Sequence, residues 1–315
     1  MIVSVTCAGE TPRGKDEMTD IGFDGQVAIV TGAGHGLGRQ HALQLAARGA
    51  RVVVNDLGGA VDGTGADAGP AQQVVDEINA AGGEAVANTD SVASQAGGEA
   101  IVQTALDAFG RVDIVVNNAG ILRDKAFHNL TPDLLDSVLQ VHLYGAFWVT
   151  LPAWKLMREQ NYGRVINTTS AAGLFGNFGQ TNYGAAKMGL VGFTKALAQE
   201  GRKRNVLANV IAPGARTRMT EDLLGSTADS LNPEAVTPVV VFLASEQCEV
   251  TGQILSVAGG RVSRVVVAEP LGYYSKDLTP EQVRDNWDTI ASLDDIIVPD
   301  NANEELGQLL NLVNQ

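Results

Sequence analysis

Cysteine is nearly absent. The 315 residues hold two, Cys7 and Cys248, too few for a disulfide framework, so a reducing cytoplasmic setting is the default expectation. No metal cluster is suggested either. Long apolar runs are missing too, and without a stretch of about 18 apolar residues no membrane span is expected. The apolar start from Met1 to Val5 lacks the basic flank and longer apolar core of a signal peptide, and the final Leu-Val-Asn-Gln is not a peroxisomal address. Positive charge is scarce: 22 Lys and Arg stand against 36 Asp and Glu, for a net charge of −14. That balance argues against nucleic acid or an anionic membrane as the main partner. It does not exclude a phosphorylated small ligand, which helix termini and single basic residues can hold.

What is present is ordinary for a globular chain with a sizeable core, at 45% hydrophobic and 18% charged residues. Residues 1–22 are polar and read as a disordered arm. From Phe23 onward short apolar strands alternate with helical segments. Strands are expected at 26–30, 51–54, 84–90, 112–116, 163–167, 206–211 and 252–257. This alternation implies an α/β fold, a doubly wound parallel sheet of about seven strands with helices on both faces. Thr131, as N-cap, and Pro132 open a helix that runs through Val138, Val141 and the Trp148 region, and a further helix is expected over about 152–160. Residues 215–231 lack a strong period and read as a lid. The character changes after Gly260, so 261–315 reads as a C-terminal extension, packed on the same domain or on a partner copy.

The first strand runs into Thr31-Gly32-Ala-Gly34-His-Gly36-Leu37-Gly38 and then a helix. Glycines at a strand-to-helix turn let the backbone approach a pyrophosphate, which sits on the helix N-terminus. Asp56 ends the second strand, 20 residues beyond Gly36, where a carboxylate can accept hydrogen bonds from an adenosine ribose. It would also repel a 2′-phosphate, which favours NAD(H) over NADP(H). Asp90 ends the third strand and could meet the adenine. Asn117-Asn118-Ala119-Gly120 ends the fourth, offering small residues and amides for a close cofactor wall.

Further on, Tyr183 and Lys187 are four apart and share a helix face. A neighbouring cation favours a phenolate and moves tyrosine toward acid/base work at neutral pH. Ser170, beyond a Gly-rich loop, could orient a substrate oxygen against that phenol.

These motifs occur in one fixed order, and residues 23–260 closely resemble the short-chain dehydrogenase/reductase family. The segments around Asp56, Asn118–Asp124, Val141-His-Leu, Gly176–Gln180 and Leu278–Glu281 resemble the (3R)-hydroxyacyl-CoA dehydrogenase units of multifunctional β-oxidation enzymes. The resemblance implies a Rossmann-type fold and a nicotinamide cofactor. It assigns Gly32, Gly36, Leu37 and Gly38 to the pyrophosphate turn, and Asp56 and Asp90 to the adenosine half. Asn117, Ala119, Gly120, Pro213, Gly214 and Thr217 would form the cofactor wall. Tyr183 resembles the general acid/base, Lys187 its ribose-binding partner, and Ser170 the carbonyl anchor. Two departures stand out. His142 occupies a position where many relatives have a catalytic asparagine, and is either a substitute for it or a packed histidine. Thr217 comes one residue early after Pro213-Gly214.

The implied substrate is a (3R)-3-hydroxyacyl-CoA or its 3-oxo counterpart. Arg123, Arg216 and Arg218 are candidate phosphate cations, and Met219, Leu223 and Leu224 a candidate cover for the acyl chain. The alternatives are a steroid, another alcohol or an acyl-carrier thioester as substrate, or an inactive binding protein. A homodimer or homotetramer is expected through the helices around 130–160 and 183–202.

Overall fold

The computed structural model describes residues 20–215 and 231–313. The expected lid, with Arg216, Thr217, Arg218, Met219, Leu223 and Leu224, lies outside these residues, as does most of the N-terminal arm.

Residues 21–265 form one unit. Its strands are β1 (Val27–Thr31), β2 (Arg51–Asn55), β3 (Glu84–Asn88), β4 (Ile114–Asn117), β5 (Gly163–Thr168), β6 (Val206–Gly214), β7 (Ile254–Ala258) and β8 (Arg261–Val265). They assemble in the order β3-β2-β1-β4-β5-β6-β7-β8. The first seven are parallel, while β8 returns antiparallel along β7. The eighth strand draws 261–265 into the sheet, so the chain divides after residue 265.

The pleat sorts each apolar run between two cores. In β1, Ala28 and Val30 join one cluster with Val52, Val54, Ile114 and Ile166. Val27 and Ile29 join the other with Val53, Val115 and Val165. Successive strand residues point to opposite faces, and a sheet covered on both sides needs apolar residues at every position. The first cluster is closed by α1 (Gly36–Ala46), α2 (Gly69–Ala80) and, beyond the undescribed stretch, a helix over Thr237–Ala244. The second is closed by α3 (Gln95–Phe109), by α5 (Gly145–Gln160) and by Leu197 of α7 (Thr181–Gly201).

The helical stretch before β5 is continuous. The helix α4 (Pro132–Leu139) passes through a π turn, Gln140–Tyr144, into α5, which contains Pro152 without a break. The sequence expectation of a separate helix starting near 152 is therefore corrected. Proline removes the donor that would bond the carbonyl of Trp148, and that carbonyl lies against Gly98 of α3. A Cβ on Gly98 would stand 2.4 Å from the carbonyl oxygen of Trp148. Thr131 precedes α4 as expected but makes no side-chain cap. By length and composition the stretch Pro132–Gln160 could cross a membrane. Val138, Val149, Ala153, Trp154 and Met157 are nevertheless buried in the domain, the pattern of a core helix.

Residues 266–313 belong to the second unit. It contains a bridge between Glu269 and Ile297 and helices over Pro280–Asp285, Trp287–Ile290 and Ala302–Val313. Thr279 and Gln282 form a reciprocal capping box at the first of these.

Candidate active site

The strand order reverses between β1 and β4, and in such sheets the crevice outside the carboxyl ends of the strands is where ligands bind. A cavity of about 410 Å³ lies there. Its lining includes Gly32, Gly36, Leu37, Asp56, Asp90, Ala119, Gly120, His142, Ser170, Tyr183, Lys187 and Pro213. Three expected cofactor-binding residues, Gly38 of the turn and Asn117 and Gly214 of the wall, are not among those lining the cavity. Gly38 lets α1 sit on the turn, since a Cβ there would stand 2.2 Å from the carbonyl oxygen of Gly32, and Gly214 packs on Ala258. Asn117 donates to Thr150 Oγ1 and Asn167 Oδ1, each at 2.9 Å. Asn167 continues the ladder to Thr194 Oγ1 at 2.9 Å, tying β4 and β5 to α5 and α7.

At one end of the cleft the N-cap residue of α1, His35, makes no side-chain cap, and a helix N-terminus in that position is a ready anion site. The Asp56 carboxylate is held by two amides, with Oδ2 accepting from Gly34 N and Oδ1 from Gly58 N, each at 2.7 Å. A Cβ on Gly34 would stand 2.8 Å from that Oδ2. Asp90 is fixed by Asn88, whose Nδ2 donates to Oδ2 at 2.8 Å. Two residues complete this wall: Asn118, expected there as one of the strand-end amides, and Thr31, for which the sequence suggested no role of its own. Thr31 Oγ1 accepts from the amides of Asn118 and Ala119, each at 3.1 Å. Asn118 Nδ2 donates to the carbonyls of Thr31 and Gly32 at 3.0 and 3.1 Å. The signal for Thr31 was its place at the end of a strand adjacent to the one that Asn118 follows. A helix N-terminus, a glycine-lined floor and a fixed carboxylate fit a dinucleotide with a pyrophosphate.

The same wall meets a strap. Residues 57–67 leave β2, and Leu57, Ala60, Val61 and Gly63 line the cavity. Val61 O accepts from Leu122 N at 3.0 Å, and Arg123 Nε donates to Asp62 O at 2.8 Å. Arg123 Nη1 also pairs with Asp133 Oδ2 at 3.1 Å. Its guanidinium is thus engaged by protein rather than presented as a free phosphate cation.

At the other end, β5 delivers Ser170 to the N-cap of the short α6 (Ala171–Phe175), where its Oγ accepts from Ala172 N at 3.2 Å. Ser170 also hydrogen-bonds Tyr183. Lys187 is buried, with Nζ donating to Thr168 O at 2.6 Å and lying 5.5 Å from the centroid of the Tyr183 ring. Burial brings the Lys187 ammonium down from 10.5 to about 7. Burial pushes the Tyr183 phenol up, the Ser170 hydrogen bond pulls it back, and the Asp124 carboxylate raises it again. The shift is thus upward, opposite to the lowering expected from a neighbouring cation, with desolvation by burial its leading cause.

His142 sits in the π turn, edge-on to Tyr183 with ring centroids 5.2 Å apart. Its Nε2 lies 3.0 Å from Ile121 N and 2.8 Å from Ile121 O. A Cβ on Gly120 would stand 2.4 Å from its Cε1. Burial, then the charge of Lys187, holds the imidazole well below its ordinary pKa, so it is neutral. Its buried Nδ1 finds no partner among the described residues. A void of about 10 Å³ touches Asn117, His142 and Lys187, close to the minimum for one water.

The short chain dehydrogenase family model matches residues 26–226. Peroxisomal multifunctional enzyme A of Dictyostelium discoideum is 49% identical over 295 residues, covering 93% of this chain and 66% of that protein. A hydroxyacyl-CoA dehydrogenase of Mycobacterium tuberculosis is 41% identical, covering 84% of this chain and 86% of that protein. The structure of full-length peroxisomal multifunctional enzyme type 2 from Drosophila melanogaster aligns with a TM-score of 0.78 at 38% identity, covering 93% of this chain and 50% of the other. The chain thus spans between half and two thirds of the length of these two multifunctional relatives. Members use a nicotinamide cofactor and act on small molecules, and both the match and the cleft lead to one conclusion: the chain belongs to the short-chain dehydrogenase/reductase family and is an oxidoreductase.

Proposed function

We propose that the chain interconverts (3R)-3-hydroxyacyl-CoA and 3-oxoacyl-CoA with NAD(H). The observation that carries the reaction is the convergence of Ser170, Tyr183 and Lys187 at one end of a cleft whose other end holds Asp56. A bound nicotinamide supplies hydride exchange at the substrate carbon. Tyr183 Oη takes the hydroxyl proton in oxidation and returns it in reduction. Ser170 Oγ donates a hydrogen bond to the substrate oxygen. Lys187 steadies the phenol and reaches the ribose, while neutral His142 packs the tyrosine ring and faces the void behind Lys187.

The Asp56 carboxylate supports NAD(H), because its fixed negative charge would face a 2′-phosphate. The acyl-CoA assignment is supported by the hydroxyacyl-CoA dehydrogenase relative and the multifunctional enzymes. A homodimer or homotetramer is part of this reading: Tyr144, Phe147, Leu151 and Met188 on α5, the π turn and α7 are exposed. So is a cytoplasmic setting, based on cysteine scarcity, although the multifunctional relatives are peroxisomal by name.

The test is turnover of 3-oxoacyl-CoA of several chain lengths with NADH and NADPH, followed by chiral analysis. NADH-dependent formation of the 3R product is expected. Turnover of steroids or acyl-carrier thioesters alone would overturn the substrate. Replacing Asp56 by Asn should erode the NADH preference by about tenfold, the effect of roughly one charge-assisted contact; an unchanged ratio would refute its role.

A further inference from the structure

We propose that Arg123 is a positioning residue that pins the 57–67 strap over the dinucleotide cleft and so sets the residence time of the cofactor. The proposal rests on the reading that the cleft holds a nicotinamide dinucleotide.

The strap has structure of its own. Asp67 N donates to Leu57 O at 3.0 Å, Ala60 N to Thr64 O at 2.8 Å and Gly63 N to Ala60 O at 2.9 Å. Asp62 Oδ1 accepts from both the amide and the hydroxyl of Thr64, at 2.9 and 2.7 Å. This compact tip, rather than a slack loop, reaches the segment after β4. Three contacts fasten it there: Leu122 N to Val61 O, Arg123 Nε to Asp62 O, and Gly63 against Ile121. Gly63 has a φ of +84°, and a Cβ on it would lie 3.0 Å from Ile121 Cγ2. Both sides of this seam line the cavity.

Arg123 is the one side chain of the seam that binds in two directions. Its Nε holds the strap, and its Nη1 holds Asp133 in the first turn of α4. Its own carbonyl accepts from Asn182 Nδ2 at 3.0 Å, and Asn182 is the residue before Tyr183. Asn182 Nδ2 also donates to Leu134 O at 2.9 Å. Strap, α4 and the start of the catalytic helix therefore share one anchor. A dinucleotide stretched from Asp56 to Tyr183 passes the seam, and its departure is easier when the strap lifts.

Stopped-flow measurement of NADH release tests this, alongside amide hydrogen exchange in the ligand-free protein. Arg123→Ala removes one main-chain hydrogen bond, whereas the exposed Asp133 pair adds little. NADH dissociation should accelerate about fivefold, and exchange at Gly63 and Asp67 should quicken. Arg123→Lys, with one donor group instead of a fork, should fall between. Gly63→Ala strains the strap from the other side and should also accelerate release. The KM for NAD should rise with the dissociation rate, while single-turnover hydride transfer does not change in parallel. If NADH binds the wild type and leaves Arg123→Ala and Gly63→Ala at the wild-type rate, the proposal is overturned. A wild type that binds neither NADH nor NADPH overturns the cofactor reading itself, and this inference with it.

Discussion

Lys187 carries a charge into the core, and that should be visible as pH-dependent stability. It is 4% exposed, and its ammonium falls from 10.5 to about 7. Above pH 10.5 the lysine is neutral in both folded and unfolded chains, so burial costs nothing electrostatic. Between pH 10.5 and 7 the unfolded chain binds the proton and the folded chain does not. Stability is then lost as pH falls, at about 1.4 kcal/mol per unit. Below about pH 7 both states are protonated, and the loss levels off near 5 kcal/mol. Lys187→Met keeps the apolar stem and deletes the titrating group, leaving Thr168 O without its donor, a pH-independent cost of about 1–3 kcal/mol. The assay is urea unfolding of cofactor-free wild type and variant at pH 7, 8 and 9. The stability of the variant minus that of the wild type should fall by about 1 kcal/mol per pH unit across this range, more steeply above pH 8 than below it. A difference that stays flat would refute the desolvation argument, whatever its absolute size.

Three further outcomes follow from the geometry around the phenol. Tyr183→Phe keeps the edge contact with His142 and loses only the oxygen, so turnover should drop by about 10³-fold or more while NADH affinity by fluorescence titration stays within about twofold; lost binding would make the residue structural. Gly120→Ala forces the His142 ring away from a Cβ at 2.4 Å and should cost about 1–3 kcal/mol in denaturation together with turnover. An unshifted denaturation midpoint would show that the ring moves freely. Asp124 raises the phenol, so Asp124→Asn should move the acid limb of kcat/KM for oxidation with NAD, where the phenolate is the proton acceptor, to lower pH; an unmoved limb would exclude that coupling.

Much of this was legible because the signals were local. A sheet buried on both faces writes itself as apolar runs, and the glycine turn with Asp56 and the Tyr183–Lys187 spacing lie within short windows. Strand β8 escaped because it is a half-exposed edge strand, Arg-Val-Ser-Arg-Val, without an apolar run. Its turn, Gly259-Gly260, takes positive φ at both positions, the conformation of a tight hairpin, so a double glycine after an apparently final strand was the available signal.

The other surprises arise where one backbone meets something distant. Helix α5 runs through Pro152 because the carbonyl of Trp148 finds room at Gly98, 50 residues away in sequence. The imidazole of His142 is aimed by a π turn and seated against Gly120, which helical spacing alone does not foresee. Arg123 looked like a phosphate ligand because basic residues at a cleft mouth often are, yet its partners lie 61 residues upstream and 10 downstream. In all three the long-range contact leaves no periodic trace, but in the first two a glycine stands where a Cβ would collide. Glycines inside a helix, such as Gly98, lower helix stability by about 1 kcal/mol relative to alanine. Gly98 marks a place where another chain segment comes close, whereas a Cβ on Gly192 of α7 would meet nothing within 4 Å, so a helical glycine in the sequence narrows the candidates for a close approach without singling one out.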